Sequence, residues 1–447
     1  MTIIRTAIVA ASVLMWPIGG SAAPSGLNRL QHIIVIYLEN RSFDNLFGGF
    51  PGADGLANAD QSSRQIDSYG RNYSTLPPVS DHGQIDKRFP AELSNRPFDI
   101  GRYVGPNQHH PDLTHRFFIH QMQINGGRND RFAELSSAGG LAMGYYDTSA
   151  TRLWQYAREF TLADHFFQAA FGGSFLNHQW LICACTPTFA DAPAPLKQWH
   201  HDSLTGKPVN DPTVTEDGYA VGTLQPFHPP FDHHHSDQRL PLQYRATIGD
   251  RLSEKGIDWA WYAGGWNDAI SGSPNADNFQ YHHQPFVYYA NYAPGTAARA
   301  KHLKDQSEFA AALSGKFPQV AFIKPVGRKN QHPGYSSIND ADQEVGDIVD
   351  AIRNSSIWPN SAIIISYDEN GGFWDHVAPP RIDRWGPGSR IPAVIISPWA
   401  KRAFVDHTDY DTTSILKLIE TRFGLEPLGS RDAQANDLQN AFDFETD

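Results

Sequence analysis

Two polar pairs rich in carboxylate stand where apolar runs stop. Residues 32–38 lead straight into Glu39-Asn40, and residues 362–367 lead into Asp368-Glu369. Three carboxylates and one amide oxygen make a hard-oxygen donor set. It suits one divalent cation, Ca²⁺, Mg²⁺, Mn²⁺ or Zn²⁺, rather than a soft metal. Gathered at one edge, such groups repel each other and lose hydration unless a cation neutralises them. The plain alternative is that each pair caps its own neighbouring loop, since nothing local forces the two together. A second element is Gly172-Gly173-Ser174, which opens an apolar stretch to Ile182. Glycines there let a phosphate approach a helix N-terminus. Ser174 then becomes a candidate nucleophile, because a nearby cation eases ionisation of its hydroxyl. A serine capping a helix after a turn has the same local pattern. Histidines form the third element: His115, His282-His283 and His332 all fall in polar segments. An imidazolium binds phosphate oxygens or protonates a leaving group, best in mild acid.

Elements that could position these residues alternate along the chain. Runs at 32–38, 258–262, 319–323, 362–367 and 392–397 are apolar without alternation, as strands buried on both faces are. Between them lie amphipathic stretches at 241–255, 340–353 and 411–423, the last with Asp411 as its cap and Gly424 at its end. Strands alternating with helices predict an α/β fold, a mostly parallel sheet covered by helices. Ligands of such sheets sit beyond the carboxyl ends of the strands, where Glu39 and Asp368 stand. The segments 51–110, 187–240 and 268–300 are rich in Pro, Gly, Asn and His and read as long insertions over one face. Within them, His228 and His233, His234 and His235 read as a solvated loop.

Composition narrows the function classes. The chain has 447 residues, 40% of them hydrophobic and 19% charged, which supports a large folded core. Its net charge of −12 with neutral histidine does not favour nucleic acid. Protonating all 20 histidines would take the sum to about +8, so the field changes sign in acid. Arg5, an apolar run to Pro17 and small residues at 19–23 form the three-part pattern of a secretory signal peptide. The expected organisation is a leader over 1–23 and one α/β domain over 24–447, secreted or periplasmic. The two cysteines, Cys183 and Cys185, stand two apart, where a disulfide is expected to be strained. They read as small buried hydrophobes.

The runs 32–47, 112–132, 172–177, 281–283, 332–335 and 367–377 together resemble the bacterial phosphoesterase family, which joins phospholipases C of the non-haemolytic type to secreted acid phosphatases. The match covers most of the chain after residue 23. Its opening Glu-Asn-Arg-Ser-Phe-Asp and its Asp-Glu-Asn-Gly-Gly-Phe-Trp-Asp-His run are highly specific. The resemblance implies an alkaline-phosphatase-like fold and a phosphate-ester substrate. It implies metal ligands at Glu39, Asn40, Asp368 and Glu369, with Ser174 as nucleophile and further ligand. It places His115, His282, His283 and His332 around the phosphoryl group, with Asn177, Asp375 and His376 as supports. Gln331 departs from the acidic residue that phospholipases often carry before His-Pro. The paired His282-His283 and the short stretch after 411–423 resemble the phosphatase branch. The expectation is therefore an acid phosphatase most active between roughly pH 5 and 7, where histidines near pKa ~6.5 are partly protonated. The rival enzyme is a phospholipase C on phosphatidylcholine-like diesters, which alone implies contact with a membrane. A rival of another class is an exported protein that binds phosphate ligands without turnover, against which the intact Ser174 counts. Sulfatase chemistry is disfavoured, because no Cys/Ser-x-Pro-x-Arg run occurs.

Overall fold

Ile33 to Leu38 are fully buried on both faces of their strand. A strand of that kind needs a neighbour on each edge and cover above and below. The computed structural model describes residues 26–59, 63–203, 206–232, 238–273 and 279–445; the expected leader and His233 to His235 lie outside them. Eight strands form the main sheet: His32–Leu38 (β1), Thr161–Ala163 (β2), Trp259–Ala263 (β3), Leu303–Asp305 (β4), Val320–Lys324 (β5), Ser361–Tyr367 (β6), Ala393–Ile396 (β7) and Phe404–Asp406 (β8). Their order across the sheet is β4-β3-β5-β1-β6-β7-β2-β8, so β1 lies inside with β5 and β6 beside it. Only β7 runs against its neighbours, and every other pairing is parallel. The chain is thus α/β with a mostly parallel sheet, as the alternating pattern predicts.

Register decides what the sheet edge carries. Leu38 faces Tyr367 across the β1–β6 pair, so Glu39 and Asp368 leave the sheet side by side. Ile36 faces Ile323 across the β1–β5 pair, which brings Lys324 to the same edge.

The helices that matter for the site are Phe43–Phe47 (α1), Phe117–Ile124 (α2), Ser174–Cys183 (α3), Ile248–Glu254 (α4), Ile338–Arg353 (α5) and Thr412–Phe423 (α6). In α3 all ten side chains are buried, polar ones included. It packs on α6, whose start is capped by Asp411 accepting from Thr413 N at 2.7 Å and whose end is Gly424 at φ 61°. Expected boundaries move where caps dictate. Thr247 and Asp250 form a capping box, so α4 begins at Ile248 and residues 241–247 are irregular instead of helical. Ser337 caps α5 and starts it two residues before the expected 340.

One expectation is overturned. Cys183 and Cys185 are joined in a disulfide instead of lying as separate thiols. The helix stops at Cys183, and Ala184 turns back at φ 47°. That turn brings the two Cα atoms to 5.1 Å, within the span a disulfide bridges.

Candidate active site

The two carboxylate pairs meet. Asp368 Oδ1 accepts from Asn40 N at 3.0 Å and from Glu369 N at 2.8 Å, while Arg41 N donates to the Glu369 carbonyl at 2.9 Å. This stitching holds Asn40 at φ 59°, a left-handed conformation that asparagine tolerates better than most residues. Gly371 is required opposite: a Cβ there would lie 2.2 Å from the Asn40 carbonyl oxygen. Glu39, Asn40, Asp368 and Glu369 are all fully buried.

Ser174 is the first residue of α3 and points into this cluster. Its Oγ lies 3.1 Å from Glu39 Oε2 and 3.1 Å from Asn40 Oδ1. The helix cap is Gly173, and no side chain caps the helix, so the plain capping role does not account for the serine. Gly172, at φ 82°, lets the loop pass against α2, where a Cβ would lie 2.5 Å from Phe117 N. Asn177 supports that loop, accepting from Ala170 N at 3.0 Å and donating to Gly173 O at 3.2 Å.

Charge in the cluster is unevenly answered. Burial raises the Glu39 carboxyl, but Lys324 and His283 outweigh it and hold Glu39 well below its ordinary pKa. Lys324 Nζ pairs with Glu39 Oε1 and is itself fully buried, and His283 Nε2 lies 2.9 Å from the same oxygen. Asp368 and Glu369 have only a more distant histidine each, with His178 Nδ1 at 3.8 Å from Asp368 Oδ2 and His115 Nε2 at 3.9 Å from Glu369 Oε1. Burial, then the neighbouring carboxylate, pushes both well above their ordinary values. Asp368 Oδ2 and Glu369 Oε1 are buried and accept no hydrogen bond among the described residues. Orphaned anionic oxygens beside Asn40 Oδ1 and Ser174 Oγ are the donor chemistry that a hard divalent cation satisfies. Ligating atoms of Glu39, His178 and His283 also lie close together, yet Lys324 and His283 already answer that face of Glu39. The unanswered side is that of Asp368 and Glu369.

The expected histidines separate into two groups. His115, His282 and His332 line a cavity of about 440 Å³ that opens over Ser174. His283 does not line it and sits behind, against Glu39. His115 Nδ1 lies 2.6 Å from the Leu113 carbonyl and His332 Nδ1 lies 2.6 Å from the Pro333 carbonyl, so each Nδ1 carries the hydrogen. His115 Nε2 accepts from Asn40 Nδ2 at 3.4 Å, and His332 Nε2 is left to serve the cavity. Burial holds His115 and His282 below the ordinary imidazole value and takes His283 down to about 4. A phosphate dianion among them would restore the proton. Gln331 faces away from the cavity: its side chain accepts from Tyr367 Oη and donates to Ile338 O at 3.1 Å.

Two residues escaped the sequence reading. His178 stands one turn after Ser174 on α3, with Nδ1 at 2.8 Å from the Ser174 carbonyl and Nε2 at 3.8 Å from Glu39 Oε1. The i, i+4 spacing was its signal. Lys324 had a signal too, as a charged residue closing an apolar strand.

Asp375 and His376 belong to a network beside the site. Arg390 donates to Asp375 at 2.8 Å, and His376 holds Asp44 at 2.7 Å and Asp54 at 3.1 Å through its two ring nitrogens. Arg390 and His376 already pair with Asp375 and Asp44, so that group does not call for a metal. Burial lowers the His376 pKa, but Asp44 and Asp375 outweigh it and Arg390 opposes them only in part, leaving it raised to about 9. A histidine raised above its unfolded value stabilises fully below ~6.5 and loses that contribution as pH rises through its folded pKa. We expect thermal stability to fall between about pH 7 and 10, and His376→Asn to flatten that fall. A His376→Asn melting profile as steep as wild type would refute this assignment.

Comparison with known proteins agrees on the class. The model of the Phosphoesterase family matches residues 30–426, and the chain belongs to that family, a hydrolase acting on phosphoric ester bonds. Phospholipase C A of Mycobacterium tuberculosis is 25% identical over 98% of this chain and 82% of its own length. The non-hemolytic phospholipase C of Pseudomonas aeruginosa is 26% identical over 94% of this chain and 58% of its own length. Non-specific phospholipase C4 of Arabidopsis thaliana is 22% identical, covering 93% and 72%. Among solved structures, a protein in the alkaline phosphatase superfamily from Vibrio parahaemolyticus covers 85% of this chain and 77% of its own, at 12% identity and a TM-score of 0.33. A score that low supports no argument, and the fold rests on the topology above. Family membership and the orphaned carboxylates together suggest metal dependence. No helix among the described residues is long and apolar enough to cross a membrane.

Proposed function

We propose that this chain is an exported, metal-dependent acid phosphatase that hydrolyses phosphomonoesters through a phosphoserine at Ser174. The observation that carries the reading is Ser174 Oγ at 3.1 Å from both Glu39 and Asn40, at the head of a helix and beneath three cavity-lining histidines. Glu39, Asn40, Asp368, Glu369 and Ser174 would hold one divalent ion. That ion supplies Lewis-acid stabilisation of the phosphoryl oxygens and eases ionisation of the serine. Ser174 gives its hydroxyl proton to solvent, its Oγ attacks phosphorus in line, the Oγ–P bond forms, and the bond to the leaving oxygen breaks. His332 or His115 gives that oxygen its proton, and the alcohol departs. Water then attacks phosphorus from the vacated side, passing its proton to the same histidine. The Oγ–P bond breaks, Ser174 takes a proton from solvent to regain its hydroxyl, and phosphate leaves. The amides at the α3 N-terminus face the charge that builds during both steps.

A monoester brings one more anionic oxygen than a diester, and His115, His282 and His332 offer donors for it. The names of the relatives favour a second reading, a phospholipase C, whose substrate here would be a phosphatidylcholine-like diester. Matched kcat/KM values for p-nitrophenyl phosphate and its phosphorylcholine diester, in wild type and His282→Ala, separate the two. We expect monoester preference in wild type, reduced at least about tenfold by His282→Ala, the loss of one charge-assisted contact. Faster diester turnover, untouched by the substitution, would establish the phospholipase reading.

A further inference from the structure

The cavity over Ser174 does not end at the phosphoryl position. Arg116, Asp211 and Thr223 line it, and the same three residues line a second cavity of about 640 Å³. The two cavities share these wall residues, and the second lies against residues 193–200 and 210–225. Asp211 makes the junction rigid, since its carboxylate accepts from Phe118 N at 2.5 Å and Ile119 N at 3.3 Å at the head of α2.

The far cavity has a definite chemistry. Beside His200 and the shared Arg116 and Asp211, its walls carry Asn210, Thr213, Thr223, Gln198, Gln225 and Gln238, which are neutral donors and acceptors. Leu196 and two prolines are its apolar members, and no Phe, Tyr or Trp ring lines it among the described residues. An acyl chain would find little apolar wall there, and a nucleobase would find only the exposed imidazole of His200 to stack on. Among the described residues, the side chains of Asn210, Thr213 and Thr223 make no hydrogen bond to protein, so their polar atoms remain for a ligand. Gln225 is fixed by accepting from Asp232 N at 3.0 Å, which leaves its amide hydrogens to donate. Neutral amides and hydroxyls spread over several hundred Å³ are how proteins recognise a molecule studded with hydroxyls.

We propose that this second cavity is a leaving-group subsite for a hydroxyl-rich alcohol, a sugar or polyol, whose phosphate lies at Ser174. The proposal rests on the phosphomonoesterase reading and deepens it by naming the substrate class. Substrate enters with its phosphate over Ser174 and its hydroxyls past Arg116 and Thr223, where Asn210, Thr213 and Gln225 receive them.

The test compares glucose 6-phosphate, whose leaving group carries hydroxyls, with p-nitrophenyl phosphate, whose leaving group carries none. The quantity read is the ratio of their kcat/KM values in metal-loaded wild type, Asn210→Leu, Thr223→Val and the double variant. A site built to hydrogen-bond hydroxyls loses selectivity when those partners go, so each single change should lower the ratio about fivefold and the double change more. A double-variant ratio within about twofold of wild type overturns the subsite. Should Asn210→Leu fail to fold, Thr213→Val with Thr223→Val carries the same comparison. If wild type turns over neither monoester, the phosphomonoesterase reading fails. Calorimetry of glucose 6-phosphate on the same proteins then decides the subsite. Weaker binding in the double variant supports it, and equal binding or none in wild type overturns it.

Discussion

Ser174→Ala is expected to lower kcat by at least about 10⁴-fold, some 5.5 kcal/mol of barrier, while the fold and metal content stay near wild type. The size follows from the chemistry assigned to one atom. Deleting Oγ removes the attacking oxygen, and water in its place lacks the fixed position between Glu39 Oε2 and Asn40 Oδ1. The fold should survive because α3 is capped at Gly173 and takes no cap from the serine side chain. Ser174 is also only 7% exposed, so the change removes one atom from a well-held site without opening the core. Acid-quenched wild type should carry phosphate on Ser174, and the variant should carry none. A loss of only a few-fold, under ~1 kcal/mol, would take the nucleophile's role away from Ser174.

The carboxylate cluster was legible because chemistry and strand ends coincide. Glu39 and Asp368 each terminate a run of side chains buried on both faces, so both had to stand at a sheet edge. What the sequence did not hold was adjacency. The Leu38–Tyr367 register turns two caps into one cluster, and it comes from pairing across more than three hundred residues. Strands β2, β4 and β8 were missed because three residues carry no readable period, and their pairing is imposed by longer neighbours. Antiparallel β7 looks like any other buried strand, since burial on both faces is blind to direction. Lys324 was passed over because one lysine after an apolar run reads as a solvated strand end; only the β1–β5 register turns it against Glu39. The disulfide was misjudged on spacing alone, because Ala184 in a left-handed turn is a property of how α3 ends and not of the two cysteines.

Asp368→Asn should lower activity and metal affinity together, and it should move the stability of the metal-free and metal-loaded protein in opposite directions. The amide keeps the shape of the site. Its Oδ1 can still accept from Asn40 N and Glu369 N, the two bonds that hold the strand ends together. What it loses is the charge and the ligand at Oδ2, the oxygen without a hydrogen-bond partner among the described residues. In the metal-free protein that loss is a relief. Burial and the charge of Glu39 push the Asp368 pKa well up. A carboxyl so raised keeps the folded protein stable in acid and drains stability as pH climbs above its unfolded value near ~3.9. Asp368→Asn removes that drain, so the metal-free variant should melt a few degrees higher than metal-free wild type at pH 7, a shift of about 1 kcal/mol or more for a chain of this size. Adding the cation reverses the order, because wild type gains binding free energy that the variant has lost. We expect kcat/KM to fall about 10³-fold, a barrier increase of ~4 kcal/mol, with partial recovery at high metal concentration. A chelated wild type that keeps full activity, with no metal by elemental analysis, would defeat the metal reading. A metal-free variant that melts below metal-free wild type would show instead that the Asp368 charge is answered in the folded protein, by His178 and Lys324.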